Sequence, residues 1–148
     1  MQGNIHWWRW AMVLAWMALL AGCARPAPEQ RVRQAVAQMQ AAIEARDVGK
    51  AMQPVAEDFV GEQGLDAAGL RRLLQLELLG NRKIGVTLGP VEVQLKGATA
   101  TASFTALLTG GDGRWLPEQA QTYQLTTGWR LQDGDWRLYH AQWAPAGR

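Results

Sequence analysis

Apolar residues keep a helical spacing as far as residue 82 and alternate after Lys83, and this single change of period governs what the chain can become. In residues 30–46, Val32, Val36, Met39 and Ile43 recur at intervals of four, three and four, with Gln and Arg between them. That spacing predicts a one-faced amphipathic helix. Asp47 interrupts it. Residues 48–58 hold a second set, Val48, Met52 and Val55, that leads to Phe59 and is broken by Pro54, so a shorter helix with an irregular middle is expected. Gly61 and Gly64 mark a loop. Asp66 is placed to cap a third helix, with Leu65 stapling onto Leu70. Leu70, Leu73, Leu74, Leu76, Leu78 and Leu79 supply its broad apolar face, and Gly80-Asn81 ends it.

Beyond Lys83 the alternation predicts strands. Ile84, Val86 and Leu88 alternate with small residues, Gly89-Pro90 interrupts, and Val91, Val93 and Leu95 resume, which reads as one bent strand or two collinear ones. After Lys96-Gly97, Ala100, Ala102, Phe104 and Ala106 alternate with hydroxyl residues in a half-buried strand whose inward side chains are small. Residues 110–113 form the next turn. A fourth run alternates through Tyr123, Leu125, Thr127, Trp129 and Leu131, and Asp133-Gly134 turns into a last strand over residues 135–143. Trp136, Leu138 and His140 share one register of that strand and Tyr139, Ala141 and Trp143 the other; a bulge would exchange the two faces. The fold class is therefore α+β, three N-terminal helices packed on a strongly curved antiparallel sheet.

The first 22 residues have another character. A polar start with Arg9 leads into the apolar run 11–20, too short for the roughly 20 residues that span a bilayer, so it reads as an export signal. It closes on Leu20-Ala21-Gly22-Cys23, which resembles the lipobox of bacterial lipoproteins at every position. The resemblance implies that Cys23 receives a diacylglyceryl thioether, that the chain is cut before it, and that the new amine is acylated. Residues 1–22 are then a signal peptide, 23–29 a lipidated tether containing Pro26 and Pro28, and 30–145 the folded domain. Ala24 follows the cysteine in place of an aspartate. By similarity to enterobacterial sorting, this favours a lipid-anchored position on the outer membrane facing the periplasm.

Within residues 30–143 the chain resembles the nuclear transport factor 2-like superfamily, including its ketosteroid-isomerase-like and SnoaL-like members. Three features carry the resemblance: a first helix ending near Ala45-Arg46-Asp47, the segment Glu57-Asp58-Phe59 closing the second helix, and the ending Trp129-Arg130-Leu131-Gln132-Asp133-Gly134-Asp135-Trp136-Arg137-Leu138. It implies a cone whose concave sheet face and helices enclose a pocket, and a homodimer through the outer sheet face. On this reading Val36, Met39, Phe59, Phe104, Tyr123, Trp129, Leu138 and His140 line a pocket for a small apolar ligand.

Elimination narrows the chemistry. The lone serine, Ser103, is far from any G-x-S-x-G elbow. Lipidation would consume the single cysteine, and of two histidines only His140 follows the signal, so a His/Cys zinc site has no ligand set and no metal or cofactor is expected. No glycine-rich phosphate loop is present. The net charge is +2, and the arginines are interspersed with acids, so nucleic acid is not an expected partner. What remains is acid-base chemistry by Asp58, Glu92, Tyr123, Tyr139 or His140. The isomerase pattern of a first-helix tyrosine and a late-strand aspartate is missing, since Val36, Met39 and Ile43 occupy the helix face and Phe104 and Ala106 the strand. The expected function is a membrane-tethered, non-catalytic domain holding a small apolar ligand or a protein partner. Its rival is a SnoaL-type enzyme using His140 and a carboxylate. Trp115 and Trp143 are left as either cavity lining or structural filler.

Overall fold

The computed structural model describes residues 25–111 and 119–147. Helix α1 (Pro28–Glu44) starts on a proline, whose missing N–H costs nothing in a first turn, and it buries Val32, Val36 and Ala42. Arg46, at φ 62°, then reverses the chain, and Asp47 caps α2 (Val48–Met52) by accepting from Lys50 N at 2.9 Å. After a 3-10 turn (Glu62–Gly64), α3 (Ala67–Gly80) is capped by Asp66, which accepts from Gly69 N at 2.6 Å.

One expectation fails here. Helix α2 stops at Met52, and residues 55–60, read as the end of a helix, form strand β1 (Val55–Val60). Pro54 explains the stop, because a proline inside a helix removes a hydrogen bond and its ring clashes with the carbonyl four residues back. Val55, Phe59 and Val60 favour extended backbone, and the chain gains a partner: β1 lies parallel to β6 (Asp135–Pro145), with Leu138 N donating to Pro54 O at 2.8 Å. Glu57-Asp58-Phe59 therefore lies within a strand and closes no helix.

The other strands are β2 (Lys83–Leu88), β3 (Glu92–Lys96), β4 (Thr99–Gly111) and β5 (Gln119–Gln132). Their spatial order is β1-β6-β5-β4-β2, with β3 also on β4. Both β2 and β3 pair with the same edge of β4, at 106–111 and 99–103, so Gly89-Pro90 splits one line into two collinear strands. All pairs are antiparallel except β1 with β6, which makes the sheet mixed. Asp133 and Gly134 take φ of 52° and 84°, the left-handed pair that a two-residue hairpin turn demands.

The core joins Val32 and Val36 of α1 to Phe59, Ala100, Ala102, Phe104, Trp129, Trp136, Leu138 and Ala141. Ala102 and Val32 have no exposed surface, so the short side chains of β4 let α1 lie close on the sheet. The indole N–H of the buried Trp129 donates to Thr127 Oγ1 at 2.9 Å, and that hydroxyl donates to Ala102 O at 3.0 Å. Polar side chains lock the helix layer in place. Gln40 donates to Val86 O and Glu44 accepts from Val86 N, which satisfies both backbone groups of Val86 at the free edge of β2. The Arg46 guanidinium donates to the carbonyls of Leu78, Asn81 and Arg82 at the open end of α3. Helix α3 divides its leucines: Leu78 is buried and Leu70 packs on the core, while Leu73, Leu76 and Leu79 face solvent.

Candidate functional site

The feature that decides the site is a bulge in β6. Trp129 pairs with Leu138 but its neighbour Gly128 pairs with His140, so Tyr139 is the extra residue. Before the bulge Trp136 and Leu138 are buried; after it Ala141 is buried and Trp143 packs against the core. Both registers seen in the sequence are thus used, one on each side of Tyr139. His140 loses the inward position. Its Nδ1 lies 2.9 Å from Val60 O, at the seam where β6 meets β1.

Tyr139 turns to the opposite face from Trp129 and lies over Gly128. The Arg130 guanidinium stands 5.7 Å from its ring centroid, within cation–π range. Arg130 also reaches past β6 to β1, where Nη1 donates to Asp58 Oδ2 at 2.8 Å and Nη2 to Asp58 Oδ1 at 2.5 Å. These hydrogen bonds hold the Asp58 carboxyl below the ordinary carboxylate value and raise Arg130 in turn. The pair is exposed, so its energy is screened by water.

The residues read as pocket lining fall into three groups. Val36, Phe59, Phe104, Trp129 and Leu138 belong to the packed core, with Met39 against it. Tyr123 is half-buried on β5 opposite Ala106. His140 sits at the β1 seam. Of the acid-base candidates, Asp58 and Tyr139 share Arg130 on the outer face, whereas Glu92 is exposed on β3 at the other side of the sheet. Cys23 and Trp115 lie outside the described residues. Sequence reasoning missed Arg130 as the link between β1 and β5. The available signal was Gly128, a lone glycine inside a strand run, which marks a bulge or the close approach of another group.

Among the described residues no three His, Cys, Asp or Glu side chains gather as metal ligands, and no helix is long and apolar enough to cross a membrane. No protein-family model and no curated protein sequence matches the chain. Solved structures do. A nuclear transport factor 2-like protein of unknown function from Pseudomonas putida is 23% identical with a TM-score of 0.66, over 78% of this chain and 84% of that one. A proposed dehydratase of the same fold family from Streptomyces avermitilis is 18% identical with a TM-score of 0.69, over 81% and 96%. Bd1075 of Bdellovibrio bacteriovorus gives 13% and 0.70 over 80% of this chain, which spans 41% of that protein's length. The domain has the nuclear transport factor 2-like, cystatin-like α+β fold.

Proposed function

We propose that this chain is a cell-envelope protein held to a membrane by acylated Cys23, and that its domain is non-catalytic and works by binding a protein partner. The observation that supports this reading is the make-up of the interior. The side chains that would line a cone cavity pack on one another, and among the described residues Thr127 is the one buried polar residue, already bonded to Trp129 and Ala102. Acid-base catalysis needs a titratable group facing the reacting atoms. The rival enzyme reading draws on the Streptomyces neighbour, yet His140 is engaged at Val60 O and Asp58 at Arg130. Ala100 and Ala102 share the core with Val32 and Val36, which favours a protein partner over a small apolar ligand.

The surface offered is α3. Leu73, Leu76 and Leu79, three residues apart, are 39%, 66% and 81% exposed, so one helix face presents a stripe of leucines to solvent. Four residues separate Cys23 from Pro28, and Arg25 and Arg31 donate to Gly134 O, so the tether meets the domain at the β5–β6 turn. Helix α1 runs about 25 Å from there to Arg46, which grips the end of α3. The leucine stripe therefore sits away from the tethered end, reachable by another protein.

A photo-crosslinker placed at position 76 in cells tests this against the same probe at position 131, where Leu131 is 42% exposed on β5 beside the tethered β5–β6 turn. The expected result is a discrete heterologous adduct from 76 and none from 131. Equal labelling at both positions, or self-adducts alone, would overturn the partner reading. A defined apolar small molecule copurifying in native mass spectrometry would restore the apolar-ligand reading.

A further inference from the structure

The bulge that moves His140 aside also turns Trp143 toward the helices, and Trp143 borders a solvent-open groove of about 590 Å³. That volume lies within the roughly 300–1,000 Å³ of small-molecule sites. The groove's other walls are the 3-10 turn and the first turns of α3. Gly61 seats the indole: a Cβ there would stand 3.2 Å from Trp143 Cη2 and 3.1 Å from Phe59 Cε1. The far tip of Trp143 is thereby pinned while the residue stays half-exposed.

The polar groups around this ring select a ligand class. Glu62 and Asp66 can only accept hydrogen bonds, Arg72 can only donate them, and the Gln63 amide does both. One Asp66 oxygen is committed to Gly69 N. Among the described residues the side chains of Glu62, Gln63 and Arg72 make no hydrogen bond within the protein. An anion in the groove would meet two carboxylates, and a cation would meet the guanidinium. A neutral polyhydroxyl ligand satisfies both signs, because each hydroxyl donates and accepts, and its C–H faces suit Trp143 and Leu73. We propose that the groove between the 3-10 turn, α3 and Trp143 binds a neutral saccharide. An open groove of this kind takes a short stretch of glycan chain. The groove meets the leucine stripe at Leu73, which borders both, whereas Leu76 and Leu79 lie outside it; the groove does not depend on lipidation of Cys23.

The test titrates the purified full chain, in a detergent without a sugar headgroup, with cellotriose, maltotriose and triacetylchitotriose to about 10 mM while amide chemical shifts are followed. At least one trisaccharide is expected to give saturable shifts confined to residues 61–73 and the neighbourhood of Trp143. Arg72→Ala and Glu62→Gln, both at the rim and outside the core, are expected to weaken that binding by about tenfold or more while the remaining spectrum is unchanged. Trp143→Ala is expected to abolish it, and the two rim variants keep the test decisive if that variant does not fold. No saturable shift with any of the three sugars overturns the proposal. So do shifts centred elsewhere, undiminished binding by both rim variants, or tighter binding of an anionic oligogalacturonate.

Discussion

Tyr139 roofs Gly128: a Cβ built at residue 128 would stand 3.0 Å from Tyr139 Cζ and 3.1 Å from its hydroxyl oxygen. The bulge makes this contact, because it puts Tyr139 on the outer face above a strand residue with no side chain. The ring is half-exposed and able to tilt, so Gly128→Ala is expected to cost less than about 1 kcal/mol. Gly128→Val places a branched side chain under the ring and is expected to cost about 1–3 kcal/mol. Urea midpoints at constant m measure both. Equal effects of the two substitutions would show that the ring does not rest on residue 128.

The Asp58–Arg130 pair predicts a particular acid sensitivity. Arg130 lowers the folded-state pKa of Asp58 below its reference value of 3.8. The folded protein then binds fewer protons than the unfolded chain in that range, so the pair's stabilisation is fully present above about pH 4 and is lost as pH falls through the folded value. Asp47, held low chiefly by the Lys50 backbone N–H, acts in the same direction. Urea midpoints from about pH 6 to about pH 2 should therefore fall less steeply for Asp58→Asn than for the parent. Superimposable pH profiles would remove the pair from the account.

Two buried indoles with opposite hydrogen-bonding states give a matched prediction. Trp129 donates to Thr127, whereas Trp136 Nε1 is buried with no partner among the described residues. Thr127→Val keeps the shape and orphans the Trp129 N–H, so it is expected to cost about 1–3 kcal/mol, and Thr127→Ser much less. Removing the N–H of Trp136 relieves a penalty already present. Trp136→Phe should accordingly be milder than Trp129→Phe by about 1 kcal/mol, since both lose similar volume. Chemical denaturation of the four variants decides it, and the ordering fails if Trp136→Phe is the more damaging.

Local pattern makes most of the fold legible in the sequence. The spacing of Val32, Val36 and Met39 placed α1, Asp66 marked the start of α3, and the alternation through Ala100, Ala102 and Phe104 gave the inward face of β4. What stayed hidden depended on partners distant in sequence. Strand β1 follows a helical spacing as far as Val55, and its extended form comes from pairing with β6, more than 70 residues on. The bulge was legible as an alternative, since two apolar registers compete in β6, but its position depends on Gly128 across the sheet. The leucines of α3 misled because apolar composition cannot distinguish a face that packs on the core from one that meets solvent. Apolar periodicity placed Val36, Phe59, Phe104, Trp129 and Leu138 on inward faces, where they meet in the core, and says nothing of the space between them.

Acylation of Cys23 can be decided by mass. If Cys23 is acylated, the mature chain starts at residue 23 with a blocked amine and carries acyl chains whose burial contributes about 0.8 kcal/mol per methylene, enough with two or more chains for stable attachment. The chain purified from membranes should show that mass and incorporate labelled palmitate, and Cys23→Ala should do neither. Subcellular fractionation alone is a poor readout, because the variant retains the apolar run at 11–20 and can stay membrane-bound uncut. A chain that begins after residue 23 with a free amine would identify an ordinary signal peptide. The domain would then be released into the periplasm, and the separation of α3 from the tethered end would lose its meaning.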